Sequence, residues 1–166
     1  NMAIVATDIK FYLSGGASNA DPTAALGGAI SSSQCGSNLL DDITTGEAST
    51  GDTEYRAFFV KNTNATDTAY AVKIWIASNT DATSTDMKIA LADEGVANTI
   101  ETVVDEGTAP VGPVFDYAED LANALTIGDL APGEAFGIWI ERTVAETTTA
   151  FPNDSATLRV RADTAA

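Results

Sequence analysis

Residues 71–79 read Ala-Val-Lys-Ile-Trp-Ile-Ala-Ser-Asn, and residues 134–143 read Glu-Ala-Phe-Gly-Ile-Trp-Ile-Glu-Arg-Thr. In both stretches the apolar residues alternate with a period of two, the repeat of a β-strand and not of a helix. Val72, Ile74 and Ile76 share one face of the first, with Lys73 and Trp75 on the other. Phe136, Ile138 and Ile140 share a face of the second, opposite Gly137, Trp139 and Glu141. A uniformly aliphatic face belongs against a core, where each fully buried side chain contributes about 1.5–3 kcal/mol.

The same pattern recurs outward along the chain. Further strands are predicted over Ile9–Leu13, Glu54–Asn62, Asp86–Ala92, Thr99–Val104 and Ala156–Ala162, each rich in β-branched or aromatic residues and set off by Gly, Asn, Asp, Thr or Pro. Phe58 and Val60 oppose Tyr55, Ala57 and Phe59, and Leu158 and Val160 oppose Arg159 and Arg161. Ala118–Leu125 is the one plausible short helix, or equally a loop lying on the sheet. Many short strands with turn signals between them predict an all-β fold, an immunoglobulin-like antiparallel β-sandwich with a jelly roll as the alternative. A length of 166 residues suits one domain over 1–166.

Ser14–Thr53 departs from this pattern. It carries Gly15-Gly16, Gly27-Gly28 and Ser31-Ser32-Ser33, and it is too long for an ordinary loop in a compact domain. Two readings stand: a surface excursion with short strands near Ala29–Ser33 and Leu39–Ile43, or an arm that becomes ordered against a neighbouring subunit.

Composition excludes several function classes. The chain has 24 acids and 8 bases, a net charge of −16, so phosphate backbones and anionic membranes repel it. No run approaches the 18 or so apolar residues of a membrane span. Asn1–Thr7 has no basic region leading into a long apolar stretch, so no intact signal peptide is expected there. There is no histidine to act as a general base, and a single cysteine, Cys35, permits no intrachain disulfide and no cysteine-ligated zinc site. Neither Gly-x-x-x-x-Gly-Lys-Ser/Thr nor Gly-x-Gly-x-x-Gly occurs, so no phosphate cradle is expected. The acidic pairs Asp41-Asp42, Asp93-Glu94, Asp105-Glu106 and Glu119-Asp120, and the couple Asp81 and Asp86, read as solvated loops. Ca²⁺ held by such loops is the lesser alternative to no cofactor at all, because the Asp-x-Asp-x-Asp-Gly spacing is absent. No catalytic residue and no metal ligand is therefore assigned.

The bases are placed differently from the acids. Lys10, Arg56, Lys61, Lys73, Lys88, Arg142, Arg159 and Arg161 all lie in or at the end of predicted strands. Cross-strand pairing with Glu54, Asp86 and Glu141 accounts for most of them, and the alternative is a mixed-charge face that docks an acidic partner.

Two local patterns resemble immunoglobulin-type sandwiches of the extracellular and viral kind. One is Phe58-Phe59-Val60-Lys61-Asn62, a polar turn, then Ala71-Val72-Lys73-Ile74-Trp75-Ile76; the other is Leu130-Ala131-Pro132-Gly133-Glu134 leading into Phe136–Ile140. The Cys–Trp–Cys arrangement of antibody domains is missing. More widely, Ile9–Asn19, Leu26-Gly27-Gly28, Gly51–Arg56 and Asp154–Val160 resemble a family of small tailed-phage virion structural proteins. That resemblance implies a virion component without enzymatic activity, and it carries no site residues. With the acidity, which disfavours a position against packaged DNA, it predicts a capsid decoration or cement protein on the outer surface of the head. Its partners would be the major capsid protein or other virion subunits and copies of itself, with no nucleic acid and no membrane. The alternatives are a neck or tail component, or a secreted adhesin or carbohydrate-binding sandwich. Asn64-Ala65-Thr66 and Asn153-Asp154-Ser155 could be glycosylation acceptors in the secreted case.

Trp75, Trp139, Phe59 and Tyr55 are the interface candidates. Alternation places them opposite the aliphatic core, and large aromatics exposed together need a cover. The cover is the Ser14–Thr53 excursion, a neighbouring subunit, or the ring of a bound sugar.

Overall fold

The computed structural model describes residues 3–79, 85–146 and 155–164. Its backbone is organised by two long paired strands, β3 (Asp52–Asn62) and β8 (Ala135–Val144), which run antiparallel with Phe58 opposite Ile138 and Ala57 opposite Trp139. Both strands bury side chains on both faces, so they sit at the centre of the molecule. β1 (Ile9–Leu13) adds to β3 and β5 (Thr85–Leu91) adds to β8, giving the four-stranded order β1-β3-β8-β5. A second sheet has the order β7-β4-β9, from Leu125–Leu130, Ala69–Asn79 and Ala156–Asp163. β2 (Gly27–Gly28) and β6 (Ile100–Thr102) form a short separate pair.

The aliphatic faces meet as the alternation requires. Val72, Ile74 and Ile76 of the second sheet pack against Phe58, Val60, Ile138 and Ile140 of the first, making the chain an antiparallel β-sandwich. Leu158 and Val160 are half-buried against the same core. Asp116–Ala118 joins the two sheets along one side: Ile89 N–H donates to Asp116 C=O at 3.0 Å, and Ile76 N–H donates to Ala118 C=O at 2.8 Å.

A second apolar core lies on the other face of the four-stranded sheet. Ala57, Phe59, Ala90 and Trp139 contribute from the sheet, and Ile100 and Val103 contribute from the covering segment. Leu26 and Ile30 of the long excursion close over it. The approach is so close that a Cβ on Gly27 would lie 1.8 Å from the Glu101 carbonyl oxygen, and Gly27 also adopts φ +93°. Only glycine fits that position without shifting the cover.

The excursion is held by its own chain. Ser31, Ser33 and Cys35 exchange backbone hydrogen bonds with Leu13 and Phe11 along the free edge of β1, at 2.8–3.0 Å. This favours the surface-excursion reading over the intermolecular arm. The strand-like stretch is displaced from the expected Ala29–Ser33 to the bridge opposite Tyr12, and 39–43 is not a strand.

Of the two readings of Ala118–Leu125 the loop against the sheet is the one found, and one strand and one helix were not expected. Residues 118–125 form no helix: Ala118 has φ +39°, and the Asp120 carboxylate accepts from Asn123 N–H at 2.8 Å to make a turn. The helix is instead α1, Thr45–Thr50, started by a reciprocal cap in which Thr44 Oγ1 accepts from Glu47 N–H and Glu47 accepts from Thr44 N–H. β7 was not expected as a strand. Gly128 interrupts its pattern and sits at a register shift opposite Val72.

Candidate functional site

Three places gather the residue types that carry function. The first is a cavity of about 690 Å³ at one end of the sandwich, lined by Phe11, Cys35, Leu39, Met87, Ile140 and Arg142 among others. Burial pushes the Cys35 thiol up to about 11, so it stays protonated near neutrality and is a poor nucleophile.

Beside the cavity lies a group of charges in which Glu54, Arg56 and Arg142 are buried and Asp41 and Glu106 are half-exposed. Glu54 and Arg142 face each other across β3 and β8, with Arg142 Nη2 2.7 Å from Glu54 Oε1, a close contact of charges that is not aligned as a hydrogen bond. Arg142 also reaches Asp41, donating to its carbonyl oxygen at 2.7 Å, and Arg56 pairs with Glu106. The carboxylate oxygens of Asp41, Glu54 and Glu106 lie within 4.8 Å of one another. Two guanidiniums occupy this cluster, so the positive charge a cation would supply is already present. Burial raises the Glu54 carboxyl above its ordinary value, against the pull of Arg142. The cluster is an ion network that joins β3 and β8 to Asp41 and Glu106. It could have been anticipated by carrying the Phe58/Val60 alternation back to Arg56 and Glu54, which share that face.

The second place is the set of expected interface aromatics, which the fold divides. Trp139 and Phe59 are 0 % and 1 % exposed in the second core. Tyr55 is half-buried there, its ring 5.5 Å from Phe115 and its hydroxyl donating to Glu141 Oε2 at 3.1 Å. Burial and then Glu141 raise the Tyr55 hydroxyl above its ordinary pKa. Of the three covers weighed, the excursion is the one found for these three: Leu26 and Ile30, together with the 100–115 segment, close over that side, so Trp139, Phe59 and Tyr55 do not form an interface face. Trp75, on the outside of the second sheet, is the one of the four that belongs to neither core, and it is half-buried among the described residues.

The third place surrounds Trp75. Across the β4–β9 pair Trp75 faces Arg159, and Lys73 faces Arg161. Arg161 has an exposed partner in Asp163 at 3.3 Å, whereas Lys73 and Arg159 make no ion pair among the described residues. Of the other five bases four are accounted for locally, and Lys10, like Lys73 and Arg159, makes no ion pair among the described residues. Lys88 pairs with Glu141 at 3.4 Å, Lys61 lies over the Tyr12 ring at 5.6 Å, and Arg56 and Arg142 are in the ion network. Cross-strand pairing with Glu54 and Glu141 occurs for Arg142 and Lys88 but does not account for most of the eight bases as expected, and Asp86 stands opposite Thr143 instead of a base.

Asn64 of the first glycosylation sequence is engaged in the turn after β3, accepting from Thr66 and Asp67 N–H and donating to Asp8. Asn153 and Asp81 lie outside the described residues. No family model matches the chain, and neither the curated proteins nor the solved structures contain a match to it.

Proposed function

We propose that this chain is a non-enzymatic structural subunit, a decoration protein on the outer surface of a tailed-phage head, which contacts a neighbouring subunit through the Trp75 face. The observation that carries the reading is the composition of that face. In a chain of net charge −16, three of eight bases surround the one tryptophan that lies outside both cores, half-buried on the outer face of the second sheet. An aromatic anchor ringed by Arg and Lys is the residue make-up of a protein interface, and it suits an acidic partner surface. The resemblance to small tailed-phage proteins supports the virion, and the net charge supports the outward side of the shell. The groups that could do chemistry are neutralised in place, Cys35 by burial and the clustered carboxylates by Arg56 and Arg142.

The test is incorporation. Particles produced with the Trp75→Ser chain should carry far fewer copies than wild-type particles, with the purified variant folded. Equal occupancy would reject the face, and absence of the wild-type chain from particles would reject the virion reading.

A second reading, a carbohydrate-binding sandwich, draws on the same ring beside Arg159, which suits an acidic sugar. It ranks lower because Trp75 lines neither of the two main cavities. Binding of uronate oligosaccharides that quenches Trp75 fluorescence would favour it.

A further inference from the structure

The opposite end of the molecule carries a complementary surface. In the segment that covers the second core, Val103 points inward at 5 % exposure, while Val104, Val111 and Val114 stand 85 %, 83 % and 81 % exposed. These are the most exposed large aliphatic side chains among the described residues. Acids share this segment: Glu101 accepts from Val111 N–H, Glu94 accepts from Glu101 N–H, Asp93 lies against Gly112 and Asp105 follows Val104, and none of the four makes an ion pair among the described residues. No Lys or Arg occurs anywhere between Lys88 and Arg142.

The loop is built to hold this shape. Glu94 accepts from Glu101 N–H at 2.6 Å, Glu101 accepts from Val111 N–H at 2.7 Å, and Asp105 accepts from the Thr108 hydroxyl at 2.7 Å. An ordered surface that presents apolar groups within an acidic rim pays little ordering entropy on binding.

The two surfaces lie at opposite ends of the layer stack. The Trp75 face is the outside of the second sheet, whose other side fills the first core. The valine surface is the outside of the segment covering the second core, beyond the four-stranded sheet. We propose that the Lys73/Trp75/Arg159/Arg161 face of one copy seats on the Val104/Val111/Val114 surface of a second copy, head to tail. Charge complementarity selects this arrangement. A symmetric contact of the Trp75 face with itself would oppose bases to bases, and one of the valine surface would oppose acids to acids. A head-to-tail contact leaves one free surface of each kind and so generates rings or open chains of copies. The inference rests on the reading of a multi-copy structural subunit and adds which surfaces meet.

The test is sedimentation of the full chain against concentration and salt. Wild type should self-associate beyond the dimer at low salt, and should do so less at about 0.5 M salt, where the screening length falls to a few Å. Trp75→Ser/Arg159→Glu and Val104→Ser/Asp105→Lys should each lower the association constant by about tenfold or more. Mixed in equal amounts, the two variants retain one intact contact between them and should stop at the dimer. Lys73→Thr, a milder change on the same face, checks that any loss is not misfolding. Three results overturn the proposal: a wild-type chain monomeric up to about 1 mM, association unaffected by either variant, or a valine-surface variant that associates like wild type. A monomeric chain that still enters particles through Trp75 would overturn only this contact and leave the decoration reading standing.

Discussion

Lys73 stands directly opposite Arg161 across the β4–β9 pair, two like charges in register on an exposed sheet face. Directly opposed like charges destabilise a sheet, by amounts similar to the few tenths to about 1 kcal/mol that opposite charges contribute. In an isolated molecule this is a defect that the Arg161–Asp163 pair only partly offsets, and on the proposed reading it belongs to the docking surface.

Lys73→Thr should therefore raise the thermal midpoint of the isolated chain by a few degrees at most, the shift about 1 kcal/mol produces in a domain of this size. The same change should lower incorporation into particles. A variant that loses stability and keeps incorporation would show that the pair is neither strained nor functional.

The two tryptophans should respond unequally to truncation. Trp139→Ala should cost about 3–5 kcal/mol, because the residue is wholly enclosed in the second core. Trp75→Ser should cost about 1 kcal/mol, well below the Trp139 loss, because its side chain is only half-buried and belongs to neither core. Chemical denaturation of both variants measures the contrast. Equal losses would mean that Trp75 has an intramolecular cover.

Glu54 gives a pH signature. Its carboxyl binds a proton more tightly in the fold than in the unfolded chain, where it titrates near 4.5. The folded state holds the extra proton only between that value and the raised one. The stability of wild type relative to Glu54→Gln should thus be greatest below about 4.5, fall as pH rises through the window, and level off above it. Urea denaturation of both proteins from acid to neutral pH checks this, and a difference that grows with pH would reverse the assigned direction.

Gly27→Ala should destabilise by at least about 1–3 kcal/mol, since φ +93° and the Glu101 carbonyl both exclude a Cβ. The effect should concentrate on the cover: faster hydrogen exchange at Leu26 and Val103, with the first core protected. Uniform exchange across both cores would show that the cover and the sandwich open as one unit.

Much of the architecture was legible in the sequence because it rests on a local period. The alternation in Ala71–Asn79 and Glu134–Thr143 assigns the aliphatic face to the core without any knowledge of partners. What lay on the opposite face was not legible. Trp139 and Trp75 have the same local pattern, Ile-Trp-Ile, yet one is enclosed and the other is not. The difference comes from Leu26, Ile30 and Ile100, residues over a hundred and about forty positions away in the chain. β7 escaped because Gly128 breaks its alternation, and α1 because a six-residue helix carries no readable apolar period. Its Thr44–Glu47 cap was the available signal. The Glu54–Arg142 pair needed the β3–β8 register, which only the fold supplies.

The account turns on whether Trp75 is covered by a partner. Hydroxyl-radical labelling, read by mass spectrometry on the free chain and on assembled particles, measures this directly. The account predicts strong labelling of Trp75 in the free chain, protection of Trp75 in particles, and little labelling of Trp139 in either. Equal labelling of Trp75 in both states would contradict it.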